Sequence, residues 1–396
     1  MLNTKAEIEN KSKELKNFLN KYNKNDYIKS LNIIVIYKNH GEYIKKLKNL
    51  GKKVLFCTDS TIKNLGFLDK YLKELKKENF EVFVYDKIIP NPTLNNMQEG
   101  IRIAKSFEPD LIFALGGGSV IDTAKAISVG IYGELWDFVE KKQEITKAVP
   151  IIAISTTSGT SSNLTPYAVI TNTNTQEKKT LKHPLLLPKL SIADLEIVNF
   201  MPKKVIAETG FDVMSHAIEV YTRNDCTELG KEAAIKALKL IKENLIPSYN
   251  GISIKNKLRM VFADIYAGIA LTVIGTHLPH AISHPISARF QEISHGKTLA
   301  LVLSETIKRL KEKNNHELNK KFEILSKILG GKDNLTETIN TYTNSLELNT
   351  KPTFTDEDCE QILKDTLGYR MPSVQKSPII LNEKEIREII FKSLKS

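Results

Sequence analysis

The residues with the clearest capacity for chemistry are an aspartate and a group of histidines in the second half of the chain. Of the eight histidines in the sequence, four lie in one short segment: His277, His280, His284 and His295. Further upstream, Asp212 and His216 are four residues apart, so on a helix their side chains share one face. One carboxylate and three imidazoles provide the nitrogen and oxygen ligands that suit Zn²⁺ or Fe²⁺. Spacing alone does not select which three of these five histidines bind the metal.

Burial strengthens the metal interpretation over a simple hydrogen-bonded Asp–His pair. Apolar residues surround Asp212 and His216, and a carboxylate in such a setting needs a compensating partner. A hydrogen bond within the pair would satisfy that need if the pair stood alone. The nearby histidine segment makes a shared cation the better explanation.

The histidine segment also predicts the helix that carries it. Residues Met260–His284 are apolar on nearly all sides, which indicates a buried helix, broken or kinked near Gly275–Pro279 and ended by Pro285. His280 and His284 lie four residues apart in its last turn and so face one cavity. A lone histidine there would usually be an ordinary core residue.

A glycine-rich segment in the first half predicts contact with a phosphate. The apolar run Leu111–Leu115 leads into Gly116, Gly117, Gly118 and Ser119, followed by a helical pattern. Glycines allow a pyrophosphate to approach the backbone, and a helix N-terminus offers unpaired N–H groups and a positive dipole end. Tight strand-to-helix turns also require glycine, so the segment alone is a weak signal.

Two further loops could contact a dinucleotide. Asp59 follows the apolar run Lys53–Cys57, where a carboxylate could accept hydrogen bonds from a ribose diol and repel a 2′-phosphate. An aspartate at that place is equally typical of a helix N-cap. Thr156–Ser162 is a hydroxyl-rich loop after the run Ile151–Ser155, suited to phosphate or nicotinamide, although turns have the same composition.

The pattern of apolar runs predicts how these residues are positioned. Short runs typical of buried strands alternate with helical patterns in the first half: Ile33–Tyr37, Lys53–Cys57, Glu81–Tyr85, Leu111–Leu115 and Ile151–Ser155 for strands, and Tyr43–Leu50, Phe67–Lys77, Met97–Phe107 and Ser119–Val129 for helices. This alternation indicates a parallel sheet covered on both faces. After about Met201 helical periodicity dominates. We therefore predict one helical extension over residues 1–28, an α/β domain over 29–201 and an all-helical metal-binding domain over 202–396.

Composition excludes several classes of protein. The formal net charge of +11 is spread over many segments in which Lys alternates with Glu and Asp, unlike the concentrated basic surface of a nucleic-acid-binding protein. No apolar run reaches the roughly 20 residues that span a bilayer, and no signal peptide is recognisable. Three widely separated cysteines do not form a disulfide framework. We expect a cytoplasmic protein that binds neither nucleic acid nor membrane.

Several of these segments, in this order, resemble the iron-containing (group III) alcohol dehydrogenases. The similarity runs from about Ile33 to the end of the chain. Four segments correspond to the cofactor signature, the nicotinamide loop and the two metal-binding segments of that family: Gly116–Lys125 (GGGSVIDTAK), Thr156–Ser162 (TTSGTSS), Gly210–Tyr221 (GFDVMSHAIEVY) and Leu278–Gly296 (LPHAISHPI…SHG). The resemblance implies an N-terminal dinucleotide-binding α/β domain, a helical C-terminal domain and a metal between them.

The resemblance also assigns roles to individual residues. The implied metal ligands are Asp212, His216, His280 and His295. His284 matches a histidine associated with proton relay, whereas His277 matches no known role. Asp59 matches the acidic residue that favours NAD over NADP. The remaining implied cofactor contacts are Gly117, Gly118, Ser119, Asp122, Thr156, Thr157, Thr165 and one of Lys178 and Lys179.

The expected activity is that of a metal-dependent, NAD(P)-linked oxidoreductase. It would interconvert a small alcohol and its aldehyde or ketone by hydride transfer, with Fe²⁺ as the expected metal and Zn²⁺ as the alternative. Polyol oxidation of the glycerol dehydrogenase type, or a cyclisation of the dehydroquinate synthase type, would be rival chemistry on the same scaffold. Family members often form dimers or larger assemblies, so a homo-oligomer is expected.

Overall fold

A computed structural model describes residues 2–37 and 41–395 of the chain, which form two compact units. Met1 and Ser396, the outermost residues of the predicted domains, lie outside the described residues. The first unit contains residues up to 157, 161–174 and 179–201, and the second contains residues 158–160, 175–178 and those from 202 onward. The first is an α/β unit and the second is mostly helical, which confirms the predicted fold class.

A parallel sheet organises the first unit. The strands are β1 (Ile33–Ile36), β2 (Lys53–Thr58), β3 (Glu81–Tyr85), β4 (Leu111–Gly116), β5 (Ile151–Ser155), β6 (Tyr167–Asn172), β7 (Glu177–Lys182) and β8 (Leu190–Asp194). Six of them form one sheet in the order β1-β8-β5-β4-β2-β3, and all of its neighbours are parallel. Thr58 pairs with Leu115, and Gly116 with Ser155. The three loops expected to contact a dinucleotide therefore leave neighbouring strands at one edge of the sheet.

Helices cover both faces of this sheet. They are α1 (Leu2–Lys21), α2 (Asp26–Ser30), α3 (Gly41–Lys46), α4 (Ser60–Asn64), α5 (Phe67–Lys77), α6 (Leu94–Phe107), α7 (Gly118–Gly130), α8 (Leu135–Val139) and α9 (Leu195–Val198), with 3₁₀ turns at Leu47–Leu50, Ser162–Leu164 and Pro184–Leu186. Tyr71 of α5 packs with Phe56 and Phe113 on one face, and Met97 of α6 packs with Ile127 of α7 on the other. Burial on both faces explains why the central strands β4 and β5 are continuously apolar.

The second unit places three helices together that carry the aspartate and histidines. Its helices are α10 (Lys203–Thr222), α11 (Glu228–Tyr249), α12 (Ile254–Ile274), α13 (Leu278–Arg289), α14 (His295–Lys311), α15 (His316–Ile328), α16 (Leu335–Ser345), α17 (Asp356–Leu367), α18 (Met371–Val374) and α19 (Glu383–Lys395). Helix α14 packs against both α10 and α13. Residues far apart in sequence are thereby brought to one place.

The structure corrects two predicted helices. The extension at residues 1–28 is not one helix, because Tyr22–Asn25 form a turn between α1 and α2, and Asn25 caps α2 by accepting a hydrogen bond from the backbone N–H of Ile28. Pro285 does not end the histidine helix, since α13 continues to Arg289 with this proline inside it. Proline removes a single N–H from the helix, and the complete burial of the surrounding residues keeps the helical conformation. The break near Gly275 is confirmed.

Three strands were missed by the sequence analysis. They are β6, β7 and β8. β7 (EKKTLK) is rich in charge, and β8 (LSIAD) contains a serine and an aspartate, so neither has the composition of a typical buried strand. β8 is nonetheless fully buried, because it lies between β1 and β5 in the sheet. Its neighbours in the tertiary structure decide its conformation.

Among the described residues, no single helix is long and apolar enough to cross a membrane. The bent pair α12 and α13 meets the length and composition criteria together, with an angle of 102° at the break. Most residues of both helices are buried inside the protein, as in a core helix.

Candidate metal centre and nucleotide-binding residues

Three imidazole nitrogens converge on one carboxylate oxygen in the helical unit. The Oδ1 atom of Asp212 lies 3.3 Å from Nε2 of His216, 3.5 Å from Nε2 of His280 and 3.9 Å from Nε2 of His295. Ligand atoms of the first three residues all lie within 4.8 Å of one another, and His295 is the outlying member. Neither Asp212 Oδ1 nor His280 Nε2 has a hydrogen-bond partner among the described residues. Buried polar atoms that face one another without hydrogen bonds fit the chemistry of a divalent cation site.

The helices explain this convergence. Asp212 and His216 are one turn apart in the middle of α10, where every residue from Gly210 to Val220 is buried. His280 lies near the start of α13, and His295 is the first residue of α14. Their side chains reach Asp212 because α14 packs against α10 and α13.

A second carboxylate orients one of these histidines. Glu219 is fully buried on α10, and its Oε1 is hydrogen-bonded to Nδ1 of His280 and accepts from the Ser215 hydroxyl at 2.9 Å. A bond at Nδ1 leaves the Nε2 lone pair of His280 directed toward Asp212. Carboxylate–histidine pairs of this kind hold metal-ligating imidazoles in protein metal sites.

The two remaining histidines of the segment have different environments. His277 is turned away from Asp212, because its Nε2 is hydrogen-bonded to Thr222 Oγ1 at 3.0 Å and its backbone N–H donates to Glu219 Oε2 at 2.8 Å. The ring of His284 lies beside that of His295, with centroids 5.1 Å apart, and its Nδ1 has no hydrogen-bond partner. His284 is therefore adjacent to the cluster, and His277 supports the second carboxylate.

Burial and charge set the ionisation of the cluster. Burial lowers the pKa of His295 to about 3 and also lowers the pKa of His216, although Asp212 opposes both shifts. Burial acts to raise the pKa of Asp212, but the neighbouring histidines outweigh it and hold that pKa well below its usual range. Glu219 likewise has its pKa lowered to about 2, against burial, chiefly by His280. Burial acts to lower the pKa of His280 as well, but Glu219 and Asp212 outweigh it and raise that pKa to about 9. Two neutral imidazoles, a third that would release its proton on metal binding, and ionised carboxylates form a donor set that attracts a cation.

The glycine-rich turn begins α7 as expected of a phosphate-binding element. Gly117 is the N-cap of α7, and no side chain caps the free N–H groups of this helix N-terminus. A Cβ at Gly117 would lie 3.2 Å from Thr157 Cγ2, whereas one at Gly116 would lie 2.4 Å from Val120 Cγ2. Gly116 thus permits close packing, and Gly117, with Gly118 and Ser119 in the first turn, leaves the helix end accessible to a phosphate.

A buried lysine holds the loop that follows the hydroxyl-rich segment. Lys125 of α7 is fully buried, and its Nζ donates to the carbonyl oxygens of Ser162 (2.6 Å), Thr165 (2.8 Å) and Tyr167 (2.5 Å). Burial lowers the pKa of Lys125 to about 8. The lysine joins α7 to residues 162–167, so the glycine turn and this loop are held together.

Asp122, one turn before this lysine, has the same anchoring role. Its Oδ1 accepts from the Ser162 hydroxyl, and its Oδ2 accepts from the backbone N–H of Val169 at 2.9 Å. Thr156 is tied to the glycine turn by its backbone N–H, which donates to the Gly116 carbonyl at 3.1 Å. The buried hydroxyl of Thr157 has no hydrogen-bond partner and lies next to Gly117, as suits a contact with a bound nucleotide.

The remaining predicted cofactor residues, Asp59, Lys178 and Lys179, each have a different local environment. Asp59 caps α4, where its Oδ1 accepts from the Ile62 backbone N–H at 3.0 Å, so the simpler of its two predicted roles is realised. Lys178 is buried in the second unit, and its Nζ donates to Ser287 Oγ at 3.1 Å. Lys179 belongs to the first unit and pairs with Glu140 at 2.6 Å.

Comparison with known protein families identifies the family to which both parts of the chain belong. Residues 32–195 match the family described as iron-containing alcohol dehydrogenase, and residues 206–391 match the C-terminal domain of the same family. Together the two matches cover most of the chain. The protein is a member of the iron-containing alcohol dehydrogenase family.

Individual relatives agree with this membership. The NADPH-dependent butanol dehydrogenase of Clostridium saccharobutylicum is 33% identical over 288 residues, which cover 69% of this chain and 71% of the relative. Aldehyde-alcohol dehydrogenase 2 of Entamoeba histolytica is 32% identical over 281 residues, 67% of this chain but 32% of that longer protein. The crystal structure of an archaeal halo-thermophilic alcohol dehydrogenase from a Red Sea brine pool superimposes with a TM-score of 0.87 and 32% identity, covering 92% of this chain and 97% of that one.

Two residues that position the site of this iron-containing alcohol dehydrogenase family member were not predicted from the sequence. Glu219 follows His216 by three positions on the same apolar helix, and a buried carboxylate there was a usable signal. Lys125 is a charged residue within the apolar helix α7, and it was quoted only as part of a motif. Both act through other residues, and such contacts are not visible in residue spacing.

Proposed function

We propose that the protein is a metal-dependent, NAD(P)-linked oxidoreductase that interconverts a small alcohol and its aldehyde or ketone. The observation that carries this proposal is the convergence of three imidazole Nε2 atoms on Asp212 Oδ1, with His280 oriented by Glu219. Family membership supplies the reaction class. Polyol oxidation and cyclisation remain rivals that a substrate panel separates, and no feature of the described residues favours them.

Asp212, His216, His280 and His295 would hold one divalent cation, with Fe²⁺ favoured by the family and Zn²⁺ as the alternative. When bound, the metal acts as a Lewis acid on a substrate oxygen, and the nicotinamide accepts or supplies the hydride. The contribution of the chain is to hold three imidazoles and an ionised carboxylate in place before the cation binds, and binding would displace the proton that Glu219 and Asp212 keep on His280. Asp212, His216 and His280 are buried, and His295 is partly buried with 24% of its side chain exposed, which limits competition from water.

His284 is the residue we assign to proton movement. Burial lowers its pKa well below the ordinary value, and the charges of Arg370 and Lys178 lower it further, so the imidazole is neutral. Among the described residues its Nδ1 has no hydrogen-bond partner, which leaves this atom available to a transient proton relay with the substrate site.

For the dinucleotide, we assign the pyrophosphate to the N-terminus of α7 at Gly117, Gly118 and Ser119. The nicotinamide half would contact Asp122 of α7 and Thr156, Thr157 and Thr165 of the adjacent loop, with Lys178 or Lys179 beside the ribose. Asp59 would select NAD over NADP by repelling a 2′-phosphate. One similar protein is named an NADPH-dependent enzyme and another an NADH-dependent one, so this preference is specific to each chain.

The three cysteines are free thiols, which supports our assignment of the protein to the cytoplasm, where thiols stay reduced.

The test begins with metal analysis of the freshly purified protein. Activity is then followed by the absorbance of reduced nicotinamide with primary alcohols, diols and aldehydes, after each metal has been restored separately. His280→Ala should abolish metal retention and turnover, whereas His316→Ala, at an exposed position on α15, should change neither. Normal metal content and turnover in His280→Ala would rule out the proposed centre.

A further inference from the structure

Two buried cations, Arg370 and Lys178, lie in the helical unit, and the proposed chemistry gives Arg370 no role. Arg370 is 9% exposed and Lys178 is 6% exposed, and both charges act on His284. A buried arginine side chain is rare unless it is paired, so Arg370 requires an explanation.

Continuous contacts connect the two cations to the helix that carries His284. The backbone N–H of Lys178 donates to the Tyr369 hydroxyl at 3.3 Å, and Tyr369 directly precedes Arg370. The Nζ of Lys178 donates to Ser287 Oγ at 3.1 Å, and that hydroxyl donates to the His284 carbonyl at 3.3 Å. Helix α18, which Arg370 precedes as N-cap, also packs against α13. The cluster is therefore adjacent to His284, whose ring in turn adjoins the ring of His295.

Arg370 has donors that the protein does not satisfy. A guanidinium has five N–H groups, and Nη2 of Arg370 donates to Ser373 Oγ at 3.2 Å, whereas the buried Nε has no partner within the part of the chain that the structure describes. No carboxylate of the described chain lies within 4.0 Å of this guanidinium. Burial lowers the pKa of Arg370 to about 10, so the group remains charged at neutral pH.

The nearby acids are already engaged. Glu219 is the carboxylate whose charge acts on Arg370, but its oxygens are bonded to His280, Ser215 and the backbone of His277. Asp365 of α17 is paired with Arg289 at 2.8 Å. Neither neutralises Arg370, so the unmet charge is available to a ligand.

We propose that Arg370, with Lys178 beside it, binds a carboxylate of the substrate, so that the preferred substrates are alcohols or aldehydes that also carry a carboxylate. This inference rests on the proposed function, because it names the substrate class of the same site. The planar fork of arginine matches the two oxygens of a carboxylate. A phosphate of the dinucleotide is the less favoured ligand, since the N-terminus of α7 already offers backbone N–H groups for it.

The experiment compares butan-1-ol with 4-hydroxybutanoate, which has the same chain length and an added carboxylate. Wild-type holoenzyme should have the higher kcat/KM for the hydroxy acid. In Arg370→Gln the ratio of kcat/KM for 4-hydroxybutanoate to that for butan-1-ol should fall roughly tenfold to hundredfold, because KM for the hydroxy acid rises. Arg370→Lys should restore part of this ratio. Arg387→Gln is the matched control, because it removes the same charge from a surface residue paired with Glu360 and should leave the ratio unchanged.

A binding measurement keeps this test separate from the proposed reaction. Calorimetric titration of the holoenzyme should show tighter binding of butanoate than of butanamide, and Arg370→Gln should remove the difference even if no alcohol is oxidised. An equal loss of kcat/KM for both substrates, an unchanged ratio, or equal binding of butanoate and butanamide by the wild type would each overturn the proposal. So would weaker NAD binding in Arg370→Gln with an unchanged substrate ratio, which would assign the charge to the nucleotide.

Discussion

Nδ1 of His280 is hydrogen-bonded to Glu219 Oε1, while Nε2 of the same ring lies 3.5 Å from Asp212 Oδ1. The imidazole is thus held between two carboxylates, one of which fixes its orientation and one of which shares its proposed cation. Orientation by an outer carboxylate has measurable consequences for metal affinity.

Replacement of Glu219 should weaken the metal centre without removing a ligand. In Glu219→Gln, the affinity for Fe²⁺ or Zn²⁺ should fall by about 10- to 100-fold, because a neutral amide supports the His280 ring less strongly. Metal titration of the chelator-treated protein measures this directly. Glu243→Gln, at an exposed position of α11, is the control, and equal affinities in the two variants would show that Glu219 has no orienting role.

The close approach of α10 and α14 should be essential for His295. A Cβ at Gly296 would lie 1.9 Å from the backbone oxygen of Glu208, so Gly296→Ala should force α14 away from α10 and move His295 from Asp212. We expect loss of metal retention and a free energy of unfolding lower by about 1–3 kcal/mol, measured by metal analysis and denaturant unfolding.

Gly230→Ala is the control for this substitution. Its added Cβ would first meet the end of the Ile274 side chain at 3.2 Å, a contact that a small movement relieves. Retention of metal in Gly296→Ala at the wild-type level would contradict the packing argument.

Lys125 should act on nucleotide binding from a distance. Lys125→Met leaves the carbonyl oxygens of Ser162, Thr165 and Tyr167 without their donor, so the free energy of unfolding should fall by about 2 kcal/mol. The loop beside α7 should also become less ordered, and the Kd for NAD should rise roughly tenfold, while metal content stays unchanged because the cluster lies in the other unit. NAD titration followed by fluorescence measures the change.

Lys105→Met, at an exposed position on α6, is the matched control for this substitution. A Lys125→Met variant that loses stability but binds NAD as tightly as this control would have a structural role only.

The two roles of Asp59 can be separated by choice of substitution. Asparagine is as good an N-cap as aspartate, so Asp59→Asn should keep the cap on Ile62 and the stability of α4 while removing the charge. We expect the ratio of kcat/KM for NAD to that for NADP to fall several-fold. Asp59→Gly should lower the same ratio. Its free energy of unfolding should fall by at most a few tenths of a kcal/mol, since glycine also caps helices acceptably. An unchanged ratio in both variants would leave Asp59 as a cap alone.

Local composition was sufficient for most of the fold. The strands β3 and β5 and the helix α5 have the predicted bounds, because their apolar periodicity and flanking polar residues are unambiguous. Composition failed for β8, in which a serine and an aspartate weaken the apolar pattern and which lies between two other strands, and for Pro285, which burial retains inside α13. Both errors have one cause, namely that tertiary contacts outweigh local preference.

The sequence by itself determined the chemical inventory of the protein: one aspartate and several histidines at helical spacing, a glycine-rich turn after a buried strand, and motifs specific enough to indicate the family. Only the tertiary structure decided which histidines meet. His280 and His295 reach Asp212 because α10, α13 and α14 pack together, whereas His277 is turned toward Thr222. The tertiary structure also showed the contacts of Glu219, Lys125 and Arg370. The importance of a buried charge depends on the groups that face it, and those groups are distant in sequence.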